Sequence, residues 1–126
     1  MVARVEITEK AAEIIARLKK QHGALLFHQS GGCCDGSAPM CYPVSDFRVG
    51  PQDIVLGEIA GCMFYIGAAQ FEYGRHTQLI IDAVPGRGSG FSVEAPEGVR
   101  FLTRSRVFTD EESAELEAAG PPARAA

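Results

Sequence analysis

The sequence predicts a compact, β-rich α+β domain with a helix near its N-terminus and a short helix near its C-terminus. Apolar residues recur at helical spacing over 11–18, which is typical of an amphipathic helix. Most other apolar residues fall in short runs separated by Gly and Pro, a pattern that favours strands. With 126 residues, of which 46% are hydrophobic, the chain can bury a core without needing disulfides.

The first strand and helix are predicted from residues 5–23. Val5 and Ile7 alternate with charged neighbours, as in a half-buried strand. Thr8 is a suitable N-cap for the helix that follows, and Gly23 is a natural stop. The apolar stripe of this helix consists of Ala11, Ile14, Ile15 and Leu18.

Further strands are predicted from apolar runs bounded by turn residues. These runs cover 25–27, 54–59, 62–66, 77–84, 91–95 and 99–108. Ala60-Gly61 lies between two of them and predicts a hairpin, and the residues 68–73 predict a short helical turn.

The C-terminal helix is predicted over 113–119, because Thr109 and Glu112 have the spacing of a capping box. We therefore expect one domain over 1–108, which contains a cysteine loop at 30–43. The residues 109–126 would add the helix and a frayed tail.

Charge and hydropathy exclude two classes of partner. The net charge of −4 and the scattered Lys and Arg residues argue against nucleic acid. No apolar window approaches the roughly 20 residues that span a bilayer, and the first residues do not resemble a signal peptide. We expect a cytoplasmic protein without a membrane partner, whose thiols stay reduced.

Three of the four cysteines lie close together in a loop that is rich in Gly, Ser and Pro. Cys33, Cys34 and Cys41 can converge after one tight turn, and Cys62 opens a strand that would supply a fourth ligand. Thiolates bind Zn, Cu(I) and iron–sulfur clusters, but this spacing does not choose among Zn, Cu and Fe. A vicinal disulfide, a redox switch or plain buried thiols are the alternatives.

Other polar residues are candidates around the thiols. Glu72 and His76 are four residues apart and would form an N/O metal pair if one helix carried both. Asp35 can accept a hydrogen bond from a ligand or form a turn, and His28 can hydrogen-bond within the site or be an ordinary strand residue. Catalysis by Cys33 or Cys34, activated by His28 or His76, also stays open.

Several segments, in order along residues 5–97, resemble the A-type iron–sulfur carriers, which have the HesB-like fold. The resembling segments are Val5-Glu6-Ile7-Thr8-Glu9-Lys10-Ala11-Ala12, Ser30-Gly31-Gly32-Cys33, His76-Thr77-Gln78-Leu79 and Gly90-Phe91-Ser92-Val93-Glu94-Ala95-Pro96. The carriers end in a Cys-Gly-Cys tail, whereas no cysteine follows Cys62 here. Cys33 is therefore the one residue to which the resemblance assigns the carriers' role of cluster ligand. The resemblance also implies a HesB-like fold and a homo-oligomer.

The chain also resembles a small bacterial family defined as a domain of unknown function, number seven-seven-nine. The matching segments are Ser30-Gly31-Gly32-Cys33-Cys34-Asp35-Gly36-Ser37, Met40-Cys41, Gln70-Phe71-Glu72-Tyr73 and Arg75-His76-Thr77-Gln78-Leu79. Members of that family are labelled as aldehyde dehydrogenase-associated, which implies an aldehyde or alcohol dehydrogenase as the partner.

These observations predict a cytosolic metal- or iron–sulfur-binding accessory protein. Its ligands would be Cys33, Cys34 and Cys41, with Cys62 as a fourth and His76 or Glu72 as further donors. The alternative is a small thiol-dependent enzyme or redox sensor that uses Cys33 or Cys34 without metal.

Overall fold

The computed structural model describes residues 3–29, 39–46, 50–86, 98–120 and 122. These residues form a mixed α+β fold in which strands predominate. The elements in chain order are β1 (Val5–Ile7), α1 (Glu9–His22), β2 (Leu25–Gln29), β3 (Met40–Pro43), a 3-10 turn (Val44–Asp46), β4 (Asp53–Ile59), β5 (Cys62–Gly67), α2 (Ala68–Gly74), β6 (Thr77–Pro85), β7 (Val99–Val107) and α3 (Asp110–Ala119).

The strands form two sheets. The three-stranded sheet has the order β1-β6-β7, with β1 parallel to β6 and β7 antiparallel to it. The four-stranded sheet has the order β3-β2-β5-β4, with a parallel central pair and an antiparallel strand on each side. β2 and β5 are therefore the inner strands of the larger sheet.

The predicted strand and helix at the start of the chain are confirmed. The Thr8 side chain accepts a hydrogen bond from the Ala11 N–H at 3.2 Å, as an N-cap should. Its hydroxyl also donates to Asp82 on β6 at 2.9 Å, which ties the start of α1 to the smaller sheet. Gly23 ends the helix at φ 80°, a conformation that favours glycine. All four residues of the predicted stripe are buried.

Three phenylalanines join the sheets in a common core. The ring of Phe27 stacks on Phe64 with 6.1 Å between centroids, and it meets Phe101 of the smaller sheet edge-on at 5.0 Å. Beside them the buried Thr103 hydroxyl donates to Gln29 Oε1 at 3.0 Å. This bond satisfies two polar groups that would otherwise destabilise the contact between the sheets.

The predicted hairpin at Ala60-Gly61 and the helical turn after β5 are also confirmed. The loop predicted over 30–43 is shorter than expected, since Met40–Pro43 pairs with β2 as strand β3. The strand predicted over 91–95 lies outside the described residues. Among the helices that are described, none has the length and apolarity needed to cross a membrane.

The capping box predicted before the last helix is present. Thr109 and Glu112 exchange hydrogen bonds between side chain and backbone, so α3 begins at Asp110, three residues earlier than predicted. Both Glu112 oxygens also accept from Arg106 at 2.8 and 2.7 Å. The hydrogen bonds from Arg106 and from the Thr109 N–H lower the pKa of Glu112 to about 2. These contacts fix α3 against the end of β7.

Gly57 lies where the two sheets approach each other. It follows an irregularity in the pairing of β4 with β5, between Val55 and Gly57. A Cβ added at Gly57 would lie 2.8 Å from the Val5 Cγ1 atom of β1. Val5 is 3% exposed and its branched side chain has little rotamer freedom, so it cannot easily move aside.

We predict that Gly57→Ala lowers the free energy of unfolding by about 1–3 kcal/mol, because overpacking forces Val5 or the backbone to shift. Urea denaturation measures the change. Gly67→Ala is the matched control, since a Cβ there has no heavy atom within 4 Å. Equal losses of stability in the two variants would show that contact with Val5 is not what makes Gly57→Ala destabilising.

Candidate functional site

The central strand β2 is buried on both faces. All five of its residues are buried, although adjacent side chains of a strand point to opposite sides of the sheet. Leu25, Phe27 and Gln29 point to the core between the sheets, where Phe27 meets the other phenylalanines. His28 therefore points to the second face of the larger sheet, with 7% of its surface exposed.

His28 is paired there with Asp53. The His28 Nε2 atom lies 2.7 Å from Asp53 Oδ1, and the second carboxylate oxygen accepts from the Gly50 N–H at 3.0 Å. Asp53 is the first residue of β4, which lies two strands away from β2. The two side chains thus meet across β5, and both are almost fully buried.

The surroundings of Asp53 favour its charged form. Burial would raise the pKa of this carboxyl, but the hydrogen bonds from His28 and Gly50, together with the charge of His28, lower it below its usual value. Asp53 is therefore a carboxylate at neutral pH and is a strong acceptor for the imidazole.

The contact with Asp53 occupies one ring nitrogen of His28, Nε2. In a neutral imidazole whose Nε2–H donates to Asp53, Nδ1 carries the lone pair that binds a metal ion or accepts a proton. A carboxylate on one ring nitrogen is common to metal-binding histidines and to histidines that act as bases. The pair therefore fits either kind of chemistry.

Cys33, Cys34 and Asp35 of the predicted site lie outside the described residues. The described residues that flank segment 30–38 are Gln29, which follows His28, and Pro39, which precedes β3. Met40, the first residue of β3, pairs with His28. Both ends of the segment are thus attached at the end of the sheet that carries His28 and Asp53.

Cys41 lies on β3 rather than in a loop. It pairs with Phe27, so its side chain points to the core between the sheets, and it is 0% exposed. His28 points to the opposite face. The structure therefore places the Cys41 thiol and the His28 imidazole on different sides of the sheet.

Cys62 is also a core residue. It is 0% exposed, its Sγ donates to the Ala60 carbonyl at 3.8 Å, and burial raises the pKa of its thiol. β2 lies between β5 and β3, so the Cα atoms of Cys62 and Cys41 are roughly 10 Å or more apart. The two thiols are not brought together, and neither forms a disulfide.

Glu72 and His76 lie beyond the C-terminal end of β5, around α2, whereas Cys62 lies at the start of that strand. The helix ends at Gly74 and is followed by Arg75, so it does not extend to His76. Glu72 contacts the Arg75 guanidinium at 3.6 Å on the surface. Within the described ranges, no three His, Cys, Asp or Glu side chains lie close enough together to hold a metal ion. The ligand roles predicted from the sequence stay predictions.

The family was determined by comparison with known protein families. The model of the family described as domain of unknown function (DUF779) matches residues 14–107. The chain belongs to this family. No curated protein matches the chain. The span that matches the DUF779 model includes His28, Asp53 and all four cysteines.

Sequence reasoning missed Asp53 as the partner of His28. The two residues are 25 positions apart, and no motif of the DUF779 chain links them. One signal was present, since Asp53 opens an otherwise apolar strand that continues with Ile54 and Val55. A carboxylate at the start of such a strand needs a buried partner or solvent, and a buried histidine was available.

We predict that Asp53→Asn lowers the free energy of unfolding at pH 7 by about 1–3 kcal/mol, because a buried charge-assisted hydrogen bond is lost. The pKa of Asp53 is lowered by folding, so its stabilisation is complete above its usual value of 3.8 and is lost as the pH falls further. The difference in the free energy of unfolding between the parent protein and Asp53→Asn should therefore become smaller below pH 4. Urea denaturation at several pH values measures it.

The double variant His28→Gln/Asp53→Asn is the control for this pair. It should lower the free energy of unfolding by less than the sum of the two single changes, because the two residues share one interaction. Strictly additive costs, or an Asp53→Asn protein as stable as the parent at pH 7, would contradict the pairing.

Proposed function

We propose that this DUF779 protein is a metal-binding accessory protein whose site lies at the end of β2. The donors are the thiols of Cys33 and Cys34 and the Nδ1 atom of His28, whose Nε2 is held by Asp53. The observation that carries the proposal is the buried contact of 2.7 Å between His28 and Asp53. His28 lies five residues before Cys33, the first of two adjacent cysteines.

The donor set fits a thiophilic transition metal. Thiolate and imidazole together suit Zn, Cu(I) or the iron of an iron–sulfur centre better than they suit Mg or Ca. The Asp53 carboxylate would fix the orientation of the imidazole and increase its basicity. An ion held by these residues would be available for transfer to another protein.

Four more ligands were predicted from the sequence, and they fall into a buried pair and an exposed pair. Cys41 and Cys62 are buried among core side chains, which favours a packing role. Glu72 and His76 are exposed around the end of α2. The proposal therefore uses neither pair. Asp35 is retained as an acceptor for a ligand.

The biological setting is proposed from resemblance. The resemblance noted in the sequence implies an aldehyde dehydrogenase-associated protein, and on that ground we propose that an aldehyde or alcohol dehydrogenase receives the metal. Likeness to the A-type carriers suggests a HesB-like domain that assembles as a homo-oligomer. The cluster of thiols suggests a cytoplasmic location, where cysteines stay reduced and able to bind metal.

Metal content tests the proposal. Protein purified without oxygen should contain about one metal ion or cluster per chain, as elemental analysis and the ultraviolet–visible spectrum would report. Cys33→Ser, Cys34→Ser and His28→Gln should each lower the bound metal at least tenfold, because each removes a donor.

Cys62→Ala is the matched control, since it removes a thiol outside the proposed ligand set. It should leave the metal content unchanged. Metal-free parent protein with a normal unfolding transition would overturn the proposal, and so would equal metal loss in Cys62→Ala and Cys33→Ser.

The second candidate is a thiol-dependent enzyme or redox sensor. The same pair of His28 and Asp53 favours it, because a histidine held by a carboxylate is the usual base that activates a cysteine. Iodoacetamide labelling separates the two functions. An activated thiolate reacts quickly below pH 7, whereas a metal-bound thiolate reacts only after a chelator is added.

A further inference from the structure

A cavity of about 270 Å³ has neither His28 nor Asp53 among its described lining residues. It opens where the residue before β1, the end of α2 and the C-terminal half of α3 meet. Its polar lining comprises Arg4, Arg75, His76, Ser113 and Glu117. Phe71 and Leu116 supply apolar walls. The volume is just below the roughly 300–1,000 Å³ that is typical of pockets for drug-sized ligands, so the cavity suits a small ligand.

Arg4 is the unusual residue of this cavity. It is partly buried, and burial lowers the pKa of its guanidinium. In the described part of the chain, no carboxylate lies within ion-pair distance of it. Its contacts are one long hydrogen bond of 3.5 Å from Nη2 to the Gly120 carbonyl and a position 5.2 Å above the Phe71 ring. With respect to the described residues, most of its five N–H donors can therefore bind an anion.

The other lining residues support a negatively charged ligand. Arg75 adds a second positive charge, and its contact with Glu72 is a surface pair of 3.6 Å that costs little to exchange. Ser113 and His76 add hydrogen-bond donors. Glu117 is the one acid among the described lining residues, so two arginines face one carboxylate.

We propose that this cavity binds a small organic carboxylate. The planar guanidinium of Arg4 would hold the carboxylate group by two hydrogen bonds, with Arg75 as the second cation. Phe71 and Leu116 would contact the apolar body of the ligand. Glu117 disfavours an anion with two charges, which makes a carboxylate a better fit than phosphate.

The site is separate from the proposed metal site and does not depend on it. Arg4 and α3 lie outside residues 14–107, the span that matches the family model, whereas Phe71 and Arg75 lie within it. Ligand binding here would therefore depend on residues that the shared domain does not include.

Titration of the full chain with benzoate tests the proposal, with NMR shifts or calorimetry as the readout. Benzoate should bind saturably, while benzamide, which has the same shape without the charge, should bind at least tenfold more weakly. Arg4→Gln and Arg75→Gln should each weaken benzoate binding, Arg4→Gln by at least tenfold. Lys10→Gln is the control, because it removes one positive charge from an exposed position on α1.

Three results would overturn the proposal: benzoate and benzamide binding equally well, tighter binding of inorganic phosphate than of benzoate, or unchanged benzoate binding in a folded Arg4→Gln variant. Thermal unfolding of each variant confirms that it is folded. If Arg4→Gln does not fold, the test depends on Arg75→Gln, which changes an exposed residue. Benzoate binding by Arg75→Gln that equals benzoate binding by Lys10→Gln would then overturn the proposal.

Discussion

The hydrogen bond between His28 and Asp53 is the constraint from which the rest of the site follows. β2 is covered on both faces, so an imidazole on it must have a partner or it would destabilise the fold. Asp53 supplies that partner from the opposite edge strand, and the Gly50 N–H in turn satisfies its second oxygen. The pair thereby fixes β4 relative to β2, and it holds the imidazole beside the attachment points of the cysteine-bearing segment.

The two faces of the larger sheet have different chemistry. The face toward the smaller sheet is apolar, and the Cys41 and Cys62 thiols belong to the same buried core as its phenylalanines. Its polar pair, Gln29 and Thr103, is internally satisfied. The opposite face carries the buried pair of His28 and Asp53. Cysteines of one chain can therefore differ in role, since two of them lie in a core that excludes water and ions.

Local signals in the sequence predicted much of the fold. The N-cap at Thr8, the hairpin at Ala60-Gly61 and the capping box at Thr109 each depend on residues a few positions apart, and each was confirmed. β3 was missed because Met40–Pro43 becomes a strand only by pairing with β2. For the same reason Cys41 was expected in a loop. The partner of His28 was missed because 25 residues separate it from Asp53, and only the topology brings them together.

The most direct test of the central claim is X-ray absorption at the edge of the metal that copurifies with the protein. If His28 binds the metal, the spectrum should show a coordination shell of sulfur and one imidazole nitrogen. His28→Gln retains little metal, so it is first loaded with an excess of the same metal. The imidazole scattering should then disappear while the sulfur scattering from the cysteines remains. A shell of sulfur alone in the parent protein, unchanged in His28→Gln, would show that the imidazole held by Asp53 plays no part in binding the metal.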